Sequence, residues 1–185
     1  MNEPSLTVNA ALPDLRLRLR QETGQDHVEL DTLMSTLDLS TPEGRDVFSH
    51  IQYRGMLRLG RACGWEASEA TSLIRNTVAS LQQSFPGDAP AETDEALDGD
   101  AVAYVALGSQ LGLTVLRRSL EPHQQTGAFE HEPDLGAWKA FARRIAEIPS
   151  GSGTATRLVE DARRAFRIFQ SEAARLINPP TERTT

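Results

Sequence analysis

The chain has 185 residues, 39% of them apolar, enough for one compact domain with its own core. Its formal charge is -7, with one lysine and scattered arginines, which excludes binding nucleic acid through a positive phosphate-reading face. Its only cysteine, Cys63, excludes an internal disulfide and a cysteine-built metal cluster.

The acidity is read as solubility. No run of eighteen or more apolar residues is present, so no membrane span is expected. The opening MNEPSLTVNAALPD has neither a basic start nor an apolar centre, and a cytoplasmic chain is expected. Residues 1–11 and 178–185 are polar and contain prolines; both are expected to be disordered tails around a domain at 12–177.

Leu15, Leu19, Leu30 and Met34 predict one first helix from about Pro13 to Met34. Within it, LRLRLR at 15–20 alternates like a strand, and the downstream 3.6-residue period decides for helix. Ser40-Thr41-Pro42-Glu43 reads as a helix start, with Glu43 placed to close a capping box. That helix carries Val47, Ile51 and Leu59 and stops near Gly64. Leu73, Ile74, Thr77, Val78 and Leu81 predict a third. Pro86 to Gly99, rich in proline, glycine and acids, is a loop. A fourth helix runs from Ala101 to Leu120, ahead of Pro122. Leu135, Trp138, Ala142 and Ile145 mark a fifth. After a break at Pro149–Gly153, Leu158, Ala162, Ala165, Phe169 and Ala173 mark the last. The expected class is all-α, a single-domain bundle of about six helices.

Three features bear on chemistry. Steps of four through Leu15, Leu19 and Thr23 reach His27, which places its imidazole on the buried face of the first helix. A hydrogen-bonded core histidine and a metal ligand both fit there, and neutral imidazole is a frequent axial donor to haem iron. In the fourth helix, Gly108 and Gly112 stand one turn apart beyond Tyr104. Each costs about 1 kcal/mol of helix propensity against alanine, so something close to that face should explain them. Tight helix packing and a flat ligand lying on bare backbone both satisfy this. Arg16 and Arg20, one turn apart before His27, are placed to meet anionic groups or to form a solvated face. Arg143-Arg144 and Arg163-Arg164 carry the same two readings. No phosphate loop, HExxH or GxSxG is present, and His50, His123 and His131 lack metal-ligand spacing.

Two of these stretches occur together in a known family. Leu19-Arg20-Gln21-Glu22-Thr23-Gly24-Gln25-Asp26-His27, followed by Leu30-Asp31, resembles the first helix of bacterial haem oxygenases. Tyr104-Val105, Gly108-Ser109 and Leu111-Gly112 resemble that family's distal helix, and Trp138, Phe141, Ala165, Phe166 and Phe169 follow in a matching order. The resemblance spans about residues 12–176. It implies a haem oxygenase-like fold, with haem as both substrate and cofactor and His27 as axial ligand. It implies Gly108, Ser109 and Gly112 over the distal face, Thr23 and Tyr104 beside the haem, and Arg16 and Arg20 near its propionates. It further implies O2, electrons from a separate reductase, and biliverdin, carbon monoxide and ferrous iron as products. A phytochrome-type photoreceptor is a candidate recipient of the bilin. Where many relatives have an acid before the first distal glycine, this chain has Leu107, and Leu113 replaces a small residue after the last. Leu107 is expected to alter the hydrogen bonding behind the helix, and Leu113 to crowd the pocket. A catalytically degenerate haem-binding or interaction protein is the alternative.

Overall fold

The computed structural model describes residues 14–130, 132 and 135–179; the first eleven residues and 180–185, expected as tails, lie outside that range. Seven α-helices form an all-α bundle, and no strand occurs among the described residues. They are α1 (Leu15–Glu22), α2 (Gly24–Met34), α3 (Pro42–Ala62), α4 (Thr71–Gln82), α5 (Gly99–Arg118), α6 (Leu135–Ile145) and α7 (Gly153–Ile177).

The expected first helix is two, which accounts for seven helices rather than six. It bends at Thr23, whose φ and ψ are -98° and 1°. The Thr23 hydroxyl donates to the Leu19 carbonyl at 2.8 Å, a local bond that competes with regular helix, and Gly24 follows. The backbone bonds Thr23 N–Leu19 O (2.9 Å) and His27 N–Thr23 O (3.0 Å) persist, so the break is a one-residue bend rather than a loop. α3 starts one residue later than the sequence pattern predicts. Thr41 caps it, accepting from Gly44 N at 3.1 Å, so Glu43 falls outside the capping-box position.

α7 is the hub, packing against α1, α2, α3 and α5. Its Leu158, Ala162, Ala165 and Phe169 meet Ile51, Met56 and Leu59 of α3 and Ala101, Val102, Val105 and Ala106 of α5 in one core. α5 is long and apolar enough by composition to cross a membrane, which the run-length reading missed. Its apolar residues are used inside the bundle, since Ala101, Val102, Ala103, Val105 and Ala106 are all buried. Between α3 and α7 the closest fit is at Gly55, where an added Cβ would run into the Phe169 ring.

Arginines fasten the connections. Arg58 binds Asp94 (2.5 and 2.8 Å) and Arg61 donates to Pro90 O (2.6 Å), pinning the acidic 83–98 segment onto α3. Arg144 of α6 grips Glu69 and Asp100 at 2.7–2.9 Å. Arg163 reaches Asp26 at 3.0 Å, and Arg164 pairs with Glu95 and Asp161. Among the double-arginine candidates, these three are therefore structural.

The Arg144 hydrogen bonds hold the Glu69 and Asp100 carboxyls below their ordinary values, against a smaller opposing effect of burial. Groups depressed in this way stabilise the fold above their unfolded values, and that stability is lost as pH falls through the folded ones. Arg144→Met is expected to melt lower than the parent at pH 7. The gap should begin to narrow below about pH 4, the ordinary carboxylate range, and close as pH falls on through the depressed folded values. Melting temperature against pH for the two proteins measures this, and a gap that stays constant down to pH 2 contradicts it.

Candidate functional site

The α1–α2 bend and α5 come together over Phe166 of α7. Thr23 is buried, and its Oγ1 lies 3.4 Å from the Tyr104 hydroxyl. The Tyr104 ring stands edge-on to Phe166 at 6.5 Å and tilts against Trp138 at 6.2 Å. Burial pushes the Tyr104 phenol up, so it stays protonated and able to donate; Thr23 and the nearby Arg20 charge pull the other way.

His27 lies one turn beyond Thr23, with its ring edge-on to Phe166 at 5.8 Å. Its side chain is 59% exposed, so the expected buried face is corrected to an open edge. The bend explains the change: after Thr23 the buried position of α2 passes to Asp26, which Arg163 holds. His27 Nδ1 lies 3.0 Å from Asp31 Oδ2, one turn ahead. A carboxylate there favours the Nδ1–H tautomer and leaves the Nε2 lone pair for a ligand.

On α5, Tyr104, Gly108, Leu111, Gly112 and Val115 fall on one side at 100° per residue. Leu111 and Val115 are exposed, 37% and 66%. A Cβ built on Gly108 or Gly112 meets nothing within 4 Å, and the same is true of Gly24 on α2. Helix packing therefore does not explain the two α5 glycines. Gly55, which does pack tightly, carries no GxxxG signal and was missed from sequence. Gly112→Leu is thus expected to leave the apo-protein as stable or to stabilise it by about 1 kcal/mol through helix propensity. If haem lies on this face, as the resemblance implies, the same change should weaken its binding by placing bulk over the open face. An apo thermal melt beside a haem titration checks both; a lower melting point with normal haem affinity would reverse the assignment.

Leu107 and Leu113 are buried on the opposite side of α5, so Leu113 does not crowd the glycine face. The Ser109 hydroxyl donates to the Ala106 carbonyl at 2.7 Å, which leaves its oxygen free only to accept. Arg20 is exposed beside Tyr104 and has no ion-pair partner among the described residues. Arg16 is 56% exposed and only 4.0 Å from Asp14. His50 is engaged by Asp88 and stacks on Phe85 at 4.3 Å; His131 lies outside the described residues. No group of three or more His, Cys, Asp or Glu is arranged for a metal among the described residues.

Two concavities lie elsewhere. One is an open groove of about 640 Å³ between α2 and α7, and the other a more enclosed space of about 420 Å³ among α3, α4 and α5. Neither is lined by His27, Gly108 or Gly112, so the surface that carries these residues is an open face rather than either cavity. Searches against protein-family models, curated proteins and solved structures find no match to this chain.

Proposed function

We propose that this chain is a haem oxygenase of the biliverdin-producing kind, with haem as substrate bound on the face between His27 and α5. The observation that carries the reading is the open space over Gly108 and Gly112, on a helix side that also exposes Leu111 and Val115. Such an apolar face suits a flat ring. The residues present suit the group: an imidazole with Nε2 turned from Asp31, bare backbone opposite, and Arg20, without an ion-pair partner among the described residues, for a carboxylate.

When bound, haem supplies the oxygen-activating chemistry itself, and the protein supplies position and environment. His27 would hold the iron through Nε2, and Asp31 would fix the ring's tautomer and orientation. Gly108 and Gly112 would let the α5 backbone lie close to the ring. Tyr104 and Thr23 bring two hydroxyls to the edge near His27. Arg20 would pair with a propionate, with Arg16 one turn further out. Electrons would come from a separate reductase.

One observation favours a second reading, haem binding without turnover. Leu107 replaces the acid that the resemblance implies behind the helix, and the Ser109 proton is committed to Ala106. Haem, a reductant system and O2 added to the purified chain separate the two. A biliverdin spectrum supports the oxygenase, and a persistent haem spectrum supports the binder. Absence of any haem complex removes both.

A further inference from the structure

Residues 83–98 join α4 to α5 without helix or strand, and they run along the seam between α3 and α7. The segment carries five carboxylates and no cation. Four of the five meet arginines of the two helices. Asp88 lies 2.9 Å from Arg54 and Asp94 lies 2.5 Å from Arg58, both on α3. Glu92 lies 3.1 Å from Arg175 and Glu95 lies 2.6 Å from Arg164, both on α7. At the far end Leu97 N donates to Ala62 O at 3.0 Å, and Asp98 N to Asp161 Oδ2 at 2.8 Å.

Between these ends the segment is held mainly by charge. Ala89, Ala91, Glu92, Thr93, Glu95 and Ala96 are exposed, and between Asp88 and Leu97 only Pro90 is buried. The N–H groups of residues 89–96 make no backbone–backbone hydrogen bond among the described residues. Exposed ion pairs are individually weak and are screened by salt. A strap fastened in this way can leave while the core beneath, where Phe169 packs on Gly55, stays folded. The seam it covers has the opposite charge. Arg54, Arg58, Arg61, Arg164 and Arg175 stand there against two carboxylates, Glu172 and Asp161. In a chain of net charge -7, that is a local reversal of sign. The arrangement is that of an acidic peptide on an arginine-lined groove, with the peptide supplied by the chain itself.

We infer that the α3–α7 seam is a docking groove for an acidic peptide segment of a partner protein, kept closed by residues 88–95 until that segment displaces them. Charge complementarity names the occupant, and the strap shows its form: an extended stretch with carboxylates spaced as in Asp88, Glu92, Asp94 and Glu95, and small residues between them. Tethered at both ends, the strap has an effective concentration at the seam on the order of millimolar, so a free peptide competes poorly with it. The groove shares none of its arginines with the proposed haem face.

The probe is a synthetic peptide of residues 86–97, titrated into the full chain and into a variant carrying Glu92→Gln, Asp94→Asn and Glu95→Gln. Asp88 is left in place so that buried Arg54 keeps its partner. At low salt the variant is expected to bind the peptide at least tenfold more tightly than the parent does. That binding should be lost at about 0.5 M salt, where screening is short-ranged. A peptide with its four acids replaced by amides should not bind. Arg175→Met, at a half-exposed position, should weaken binding severalfold when added to the variant. If the triple variant fails to fold, Glu92→Gln with Glu95→Gln, both at exposed positions, takes its place. No binding to the variant, or equal binding to variant and parent, overturns the inference. So does binding that survives high salt, that the amide peptide reproduces, or that Arg175→Met leaves unchanged.

Discussion

Under the proposed oxygenase function, His27→Ala is expected to abolish conversion of haem to a bilin while leaving the apo-protein as stable as the parent. The side chain is 59% exposed, and the ring stands edge-on to Phe166. Exposed substitutions of this kind move stability by less than about 0.5 kcal/mol. A core histidine would behave in the opposite way, with the melting point falling and any activity loss following from unfolding. The variant should still associate weakly with haem, because Leu111, Val115 and the two glycines remain. Added imidazole should partly restore the haem spectrum by filling the vacated position. Asp31→Asn gives a graded control: it keeps His27 but weakens the hold on Nδ1, with an expected loss of iron affinity of about 10–100-fold. Haem absorbance, bilin formation and apo melting temperature, measured on the three proteins, test this together. Undiminished turnover in His27→Ala removes His27 as the residue that would hold the iron.

The helices were legible because their apolar periods are long and their breaks are marked by proline and glycine. Leu158 to Ala173 places α7, and Pro149–Gly153 places its start, where Ser152 accepts from Ala155 N. What was not legible depends on partners distant in sequence. The Thr23 bend is a competition between a side-chain hydroxyl and the helix, and a four-residue step count cannot detect it. That one bend moved His27 from a buried face to an open edge. The same limit applies to glycines. Gly55 and Gly108 look alike in sequence, yet one meets an aromatic ring and the other meets open space. The arginines were ambiguous for the same reason. Arg144 and Arg163 find acids 75 and 137 residues away, and only the folded chain distinguishes them from Arg20.

Glu172→Ala is expected to cost about 3 kcal/mol, the largest single loss among the surface-distant ion pairs. Glu172 and Arg54 are each 1% exposed, and Glu172 accepts from Arg54 Nε at 2.5 Å and from Arg58 at 2.7 Å. One carboxylate thus joins two arginines of α3 to the C-terminal part of α7. Removing it leaves Arg54 buried with an Nη2 that already lacks a hydrogen bond. Breaking a buried pair typically costs 3–5 kcal/mol, mostly through the stranded charge. The lower end applies here because both arginines keep a partner: Arg54 retains Asp88 at 2.9 Å, and Arg58 retains Asp94. For a chain of this length the loss corresponds to a fall in melting temperature of roughly 6–12 °C. Glu172→Gln keeps the shape and one acceptor and should cost less. The double change Arg54→Met with Glu172→Leu replaces both charges by apolar groups of similar size. It should recover much of the loss of Glu172→Ala, because the attraction between two buried charges is largely offset by the cost of taking them out of water. Thermal melts of the single, conservative and double variants give this order. A Glu172→Ala protein that melts within 1 °C of the parent would show that the network tethers the acidic segment without contributing to stability.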